Sequence, residues 1–147
     1  MPPTPATSSM NPHALPNIAR PMLARFYRAH RSAMRCKGLA QAWVIKDPVI
    51  IAALCLTPVY GGHWLTGLFV APERRGQGLA ARLIEAATDE VEGKVWLFCD
   101  PEMEDFYRRV RFERMSLLTQ RLPEALAVRF TTYTRTKPLI AMCRPPR

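Results

Sequence analysis

The residues best suited to chemistry lie together in Arg74-Arg75-Gly76-Gln77-Gly78-Leu79-Ala80-Ala81. Glycines at 76 and 78 let a backbone approach a ligand closely and turn successive N–H groups outward. Apolar residues at helical spacing begin at Leu79, so the loop runs into a helix N-terminus. That end adds unbonded N–H groups and a positive dipole. Arg74 and Arg75 add full charges. The pattern suits the holding of a pyrophosphate by backbone donors.

One loop of this kind belongs to dinucleotide-binding folds. Gly76-x-Gly78-x-x-Ala81 fits their fingerprint, and Asp100 falls near the ribose-binding acid. The surroundings do not fit. Ala71 to Arg75 intervene between strand and first glycine, an antiparallel meander precedes the loop, and too little chain follows for a second half.

The elements around the loop are readable from periodicity. Residues 20–35 place Leu23, Phe26, Tyr27, His30 and Met34 at helical spacing, with Pro21 in the first turn and Gly38 as the stop. Strands are expected at 41–46, 49–56 and 64–70, joined by Asp47-Pro48 and by Pro58 to Gly62, connections too short for crossovers. Leu79, Leu83, Ala87 and Val91, with Ala80 and Ile84, mark a helix over 79–92. A strand at 95–99 then completes a crossover with parallel strands. Asp100-Pro101 opens a further helix, with Asp as cap and acids in the first turn. Residues 115–119 and 139–143 read as strands, and 123–128 as a short helix.

The 147 residues suit one domain, and 48% hydrophobic residues can fill a core. Residues 1–16 are rich in proline and read as a disordered leader, with Met10 a second candidate start; residues 17–147 form the expected domain. The opening residues carry no secretory signal, and the longest apolar run, 49–56, is too short to span a bilayer. The four cysteines form no Cys-x-x-Cys pair and no zinc spacing, so no metal is expected. A reduced, cytoplasmic protein without membrane contact follows, as monomer or homodimer. The net charge of +9 attracts polyanions, either nucleic acid or a phosphate-rich cofactor.

Arg75, Gly78 and Ala80 give Arg-x-x-Gly-x-Ala, which resembles the Gln/Arg-x-x-Gly-x-Gly/Ala signature of GCN5-related N-acetyltransferases. Leu68 to Glu73 resembles that family's fourth strand and the turn after it. Phe106 to Phe112 resembles its Tyr-x-x-x-Gly-Phe segment, with Arg111 where the family carries glycine. The likeness covers about residues 19–145. It implies a single-domain α/β (α+β) acyl-CoA N-acyltransferase fold, with a mixed, mostly antiparallel twisted sheet flanked by helices.

The resemblance also implies roles. Backbone N–H groups of Gly76, Gln77, Gly78, Leu79, Ala80 and Ala81 would hold the pyrophosphate of acetyl-CoA, aided by Arg74 and Arg75. The backbone of Leu68, Phe69 and Val70 would pair with the pantetheine arm, and the Val70 N–H would polarise the acetyl carbonyl. Tyr107 is the expected general acid for the departing thiolate. For the base, the third strand of the meander offers His63, beside a water relay or an acceptor arriving neutral. Arg25, Arg28 and Arg35 form a basic stripe that is either a solvated face or a seat for an acidic acceptor, including aminoacyl-tRNA. The expected activity is acetyl transfer to a primary amine. The rivals are an acyl-CoA-binding sensor without turnover and a basic nucleic-acid-binding module.

Overall fold

The computed structural model of the chain describes residues 10–118 and 120–146. In chain order the elements are β1 (His13–Leu15), α1 (Arg20–Ala29), β2 (Gln41–Lys46), β3 (Ile50–Val59), β4 (Gly62–Val70), α2 (Leu79–Asp89), β5 (Lys94–Cys99), α3 (Glu104–Arg109), β6 (Glu113–Arg114), α4 (Glu124–Tyr133) and β7 (Ile140–Arg144). The strands form one mixed sheet in the order β1-β2-β3-β4-β5-β7-β6. β2 pairs antiparallel with β1 and β3, and β7 antiparallel with β5 and β6. β4 and β5 are parallel over Gly62–Trp64 opposite Lys94–Trp96, as the strand-helix-strand pattern requires. The α/β class with a mostly antiparallel sheet is thus the one expected.

The chain divides into two compact units: residues up to Thr57 with Thr66–Glu90, and Pro58–Leu65 with Val91–Arg147. In the first, α1 lays Leu23, Phe26 and Tyr27 against Val44, Ala53 and Cys55 of β2 and β3. α2 buries Leu79, Leu83, Ile84 and Ala87. In the second, Trp96, Met115, Leu126 and Ala141 form the core, with Trp64, Phe98 and Phe130 packed on them.

Several boundaries differ from expectation. The leader ending at residue 16 is ordered near its end: His13–Leu15 pairs with Ala42–Val44, and Leu15 is buried. One apolar side chain seated in the core outweighs the local proline content, while residues 1–9 lie outside the described residues. α1 stops at Ala29, not Arg35. Arg31 takes a left-handed φ of 58°, its N–H bonds the Arg28 carbonyl (3.1 Å), and the Ser32 N–H bonds that of Tyr27 (2.9 Å). This is a Schellman closure. Gly38 therefore ends nothing, and Arg35 leaves the stripe formed by Arg25 and Arg28.

The same closure ends α3. Arg111 has φ 75°, with Arg111 N–H to Arg108 and Phe112 N–H to Tyr107, both at 3.1 Å. Arg111 thus adopts the conformation that the glycine it replaces would take. α4 runs to Tyr133, longer than expected. Its threonines turn their hydroxyls back on helix carbonyls, Thr131 to Ala127 and Thr132 to Val128. Residues 115–118 are not strand. β6 lies just before them, and the Met115 N–H still reaches the Ala141 carbonyl at 2.9 Å; Thr119 lies outside the described residues.

Candidate functional site

The glycine loop has the geometry its sequence demands. Gly76 and Gly78 have φ of 80° and 75°, in the left-handed region that side chains avoid. A Cβ at either would meet nothing within 4 Å, so glycine is needed for conformation and not for space. The first turn of α2 closes through Arg82 N–H to the Gly78 carbonyl at 3.1 Å. Before it, the N–H groups of Gly76, Gln77, Gly78, Leu79, Ala80 and Ala81 have no acceptor among the described residues. No side chain caps the helix, and no acid stands in its first turn. The result is a run of unused donors at the positive end of a helix dipole.

The two loop arginines serve different partners. Arg74 forms an ion pair with Asp47 at 2.9 Å, which ties the loop to the β2–β3 turn. That pair engages Nη2 of its guanidinium. Arg75 lies over the Phe69 ring at 5.2 Å and donates Nε–H to the Val70 carbonyl at 3.0 Å. It therefore fixes the end of β4 to the loop.

The segment Leu68–Val70 begins just after a distortion in β4. Gly67 has φ 68°, and its carbonyl accepts a 2.6 Å hydrogen bond from the buried Tyr27 hydroxyl. Phe69 then meets Phe26 (5.9 Å between ring centres) and His30 (5.3 Å). His30 Nδ1 lies 3.0 Å from the Phe26 carbonyl. A carbonyl can only accept, so Nδ1 carries a proton and donates it to that oxygen. In the sequence His30 shows only as one residue at helical spacing, which does not reveal its tilted ring contact with Phe69.

Tyr107 and His63 belong to the second unit. Tyr107 is buried edge-on to Phe106 (5.0 Å) and Phe112 (5.9 Å). Burial, with a smaller effect from Cys99, pushes its phenol up to about 12. At neutral pH it is a fully protonated donor. His63 stands at the opposite end of β4 from Val70, in a strand advancing about 3.3 Å per residue. Burial lowers its pKa, and its Nδ1 is buried without a partner among the described residues. The structure thus groups Leu68–Val70, Arg75, the Gly76–Ala81 loop and His30 in one unit.

A cavity of about 630 Å³ lies along α1 and residues 32–37, lined by Arg20, Tyr27, Arg28, Met34, Arg35 and Lys37 among others. Sequence reasoning did not find it. The available signal was charge: no acidic residue precedes Asp47. Among the described residues no group of His, Cys, Asp and Glu could hold a metal ion. Nor is any helix among them long and apolar enough to cross a membrane.

Residues 12–112 match the model of the Acetyltransferase (GNAT) family, and the chain belongs to that family. No curated protein matches its sequence. Among solved structures, it is similar to N-acetylglutamate synthase from Neisseria gonorrhoeae complexed with coenzyme A and N-acetyl-glutamate, at 13% identity and TM-score 0.64. That likeness covers 93% of this chain and 35% of the synthase, so the chain spans about a third of it. It is similar to an acyl-CoA N-acyltransferase from Pseudomonas aeruginosa at 18% identity and TM-score 0.62, over 92% and 99% of the two chains. GCN5 of Tetrahymena is similar over 76% of this chain and 71% of that one, at 14% identity and TM-score 0.55. At these identities the likeness shows a shared fold.

Proposed function

We propose that the protein is an acetyl-CoA-dependent N-acetyltransferase acting on a primary amine. The observation that carries this is the run of six unused backbone donors from Gly76 to Ala81 at the head of α2. Together with family membership, it fits the pyrophosphate of coenzyme A, which a Neisseria gonorrhoeae synthase of the same fold holds in its crystal structure. When bound, the coenzyme supplies an acetyl thioester whose carbonyl an amine can attack.

The chain's residues divide the remaining work. The Leu68–Val70 backbone aligns the pantetheine arm as a neighbouring strand would, and the Val70 N–H stabilises negative charge on the acetyl oxygen. Arg75 holds that strand end in place through Phe69 and the Val70 carbonyl. His30 Nε2 takes the proton that the acceptor amine loses, because its ring packs against Phe69 with Nδ1 already committed. This role passes from His63, which stands at the far end of β4. Tyr107 gives a proton to the sulfur as the carbon–sulfur bond breaks and the carbon–nitrogen bond forms.

Calorimetric titration of the purified protein with acetyl-CoA, beside a Gly78→Glu variant, tests the reading. Binding by the parent and its loss in the variant are expected, since the new carboxylate repels phosphate. A parent that binds no acetyl-CoA overturns the proposal. Tight binding without thiol release across an amine panel favours the non-catalytic sensor.

A further inference from the structure

We propose that the cavity along α1 and residues 32–37 is the acceptor site, and that it takes an amine carrying a carboxylate or a phosphate. The inference rests on the acetyltransferase reading and names its substrate class. Its size, about 630 Å³, falls in the range of small-molecule sites. Arg20, Arg28, Arg35 and Lys37 line it, and no Asp or Glu does. No Asp or Glu precedes Asp47 in the sequence, so the segment that lines the cavity supplies no carboxylate.

The partners of these cations point the same way. Among the described residues Arg28, Arg35 and Lys37 have no carboxylate partner. Arg20 spends its Nη2 on the neutral carbonyls of Gly38 and Ala40, and its Nε is buried without a partner. Those bonds hold the lining segment against the start of α1, and neither acceptor carries a charge. A basic stripe on a convex helix face is ordinary, but these cations ring a hollow, where low-dielectric walls concentrate an anion.

Two residues of the lining also approach the strand expected to hold the thioester. Tyr27 and Met34 line the hollow, and both approach Gly67. The Tyr27 hydroxyl bonds the Gly67 carbonyl, and the Met34 methyl lies 3.5 Å from where a Gly67 Cβ would stand. An acceptor anchored by its anionic end among the arginines therefore has its amine directed along α1 towards Leu68–Val70.

The test uses the purified protein and four probe amines: β-alanine, O-phosphoethanolamine, ethanolamine and putrescine. Binding is read by calorimetry with and without saturating coenzyme A, and transfer by thiol release. The variants are Arg28→Glu, Arg35→Glu and the double change, with circular dichroism as a check on folding. At least one anionic probe is expected to bind tenfold or more tighter than ethanolamine, with putrescine excluded. The double variant should lose that preference tenfold or more while keeping coenzyme A affinity. β-Alanine and O-phosphoethanolamine separate a carboxylate seat from a phosphate seat. Equal binding of all four amines, no anionic binding at millimolar concentration, or unchanged preference in a folded double variant overturns the inference. Loss of coenzyme A binding in the parent, with anionic amines still bound, instead overturns the acetyltransferase reading alone.

Discussion

The Tyr27 hydroxyl and the Gly67 carbonyl, joined at 2.6 Å inside the first unit, fix helix α1 to the distorted turn of strand β4. Tyr27→Phe keeps the ring packing and leaves a buried carbonyl unsatisfied, a loss of about 1–3 kcal/mol. Gly67→Ala is harsher. It forces a side chain to φ 68° and sets its Cβ 2.8 Å from the Tyr27 oxygen. The left-handed penalty alone is about 1–2 kcal/mol. Urea unfolding should place Gly67→Ala below Tyr27→Phe and both below the parent, and an unchanged midpoint in either would refute this linkage.

The arginines that close α1 and α3 predict a gain of stability. Arg31 sits at φ 58° on an exposed turn, where glycine relieves about 1 kcal/mol of strain. Arg31→Gly should therefore raise the melting temperature by a few degrees. Arg111→Gly should gain less, since the Arg111 side chain has a contact that glycine gives up. A fall in melting temperature for Arg31→Gly would show that its left-handed turn is not strained.

Such features explain how far the sequence could be read. The loop was legible because two glycines and the onset of apolar spacing at Leu79 are local signals. The end of α1 was not, because Arg31 in a left-handed turn has no signature in residue type. β1 was hidden for another reason: His13–Leu15 is held by pairing with β2, a long-range contact that proline-rich composition obscures. The role proposed for His30 rests on a ring contact with Phe69, again across distant chain. His63, by contrast, drew notice through its place on β4, and it stands at the end of that strand opposite Val70.

Alkaline pH should destabilise the protein through Tyr107. An unfolded tyrosine ionises near pH 10, while the folded one waits until about 12. Below pH 10 both states are protonated and this group is silent. As pH rises from about 10 to about 12 the unfolded state alone releases its proton, so stability falls. Tyr27, raised further by burial and by Cys55, adds to the same slope. Melting temperatures measured between pH 9 and about 11.5 should drop less steeply in Tyr107→Phe. Identical slopes would sink the assignment.

Cys36 should be the reactive thiol. The hydrogen bond with Cys55, helped by the Arg20 charge, brings it down to about 7, whereas Cys55 is buried and pushed up. Burial also pushes Cys99 up to about 11. Because the thiolate is the nucleophile, iodoacetamide should label Cys36 first, with a rate midpoint near pH 7. Peptide mapping that finds Cys99 or Cys143 labelled first would contradict this ordering.

The role proposed for Tyr107 predicts a kinetic split. Tyr107→Phe should lower kcat about tenfold or more with little change in acetyl-CoA affinity, as for a proton donor used only when the thiolate leaves. Equal losses of kcat and coenzyme affinity in Tyr107→Phe would assign that residue to packing.

The loop glycines have a thermodynamic corollary. A Cβ at Gly76 or Gly78 would meet nothing within 4 Å, and the amides from 76 to 81 have no acceptor among the described residues, so the empty chain gains little from ordering this turn. A ligand that engages those amides stabilises only the folded state, by about 2.7 kcal/mol at a hundredfold excess over its dissociation constant. The folded fraction, and with it resistance to proteolysis, then rises and falls with the supply of acyl donor. On the proposed reading, the protein's own lifetime becomes a readout of its acyl donor.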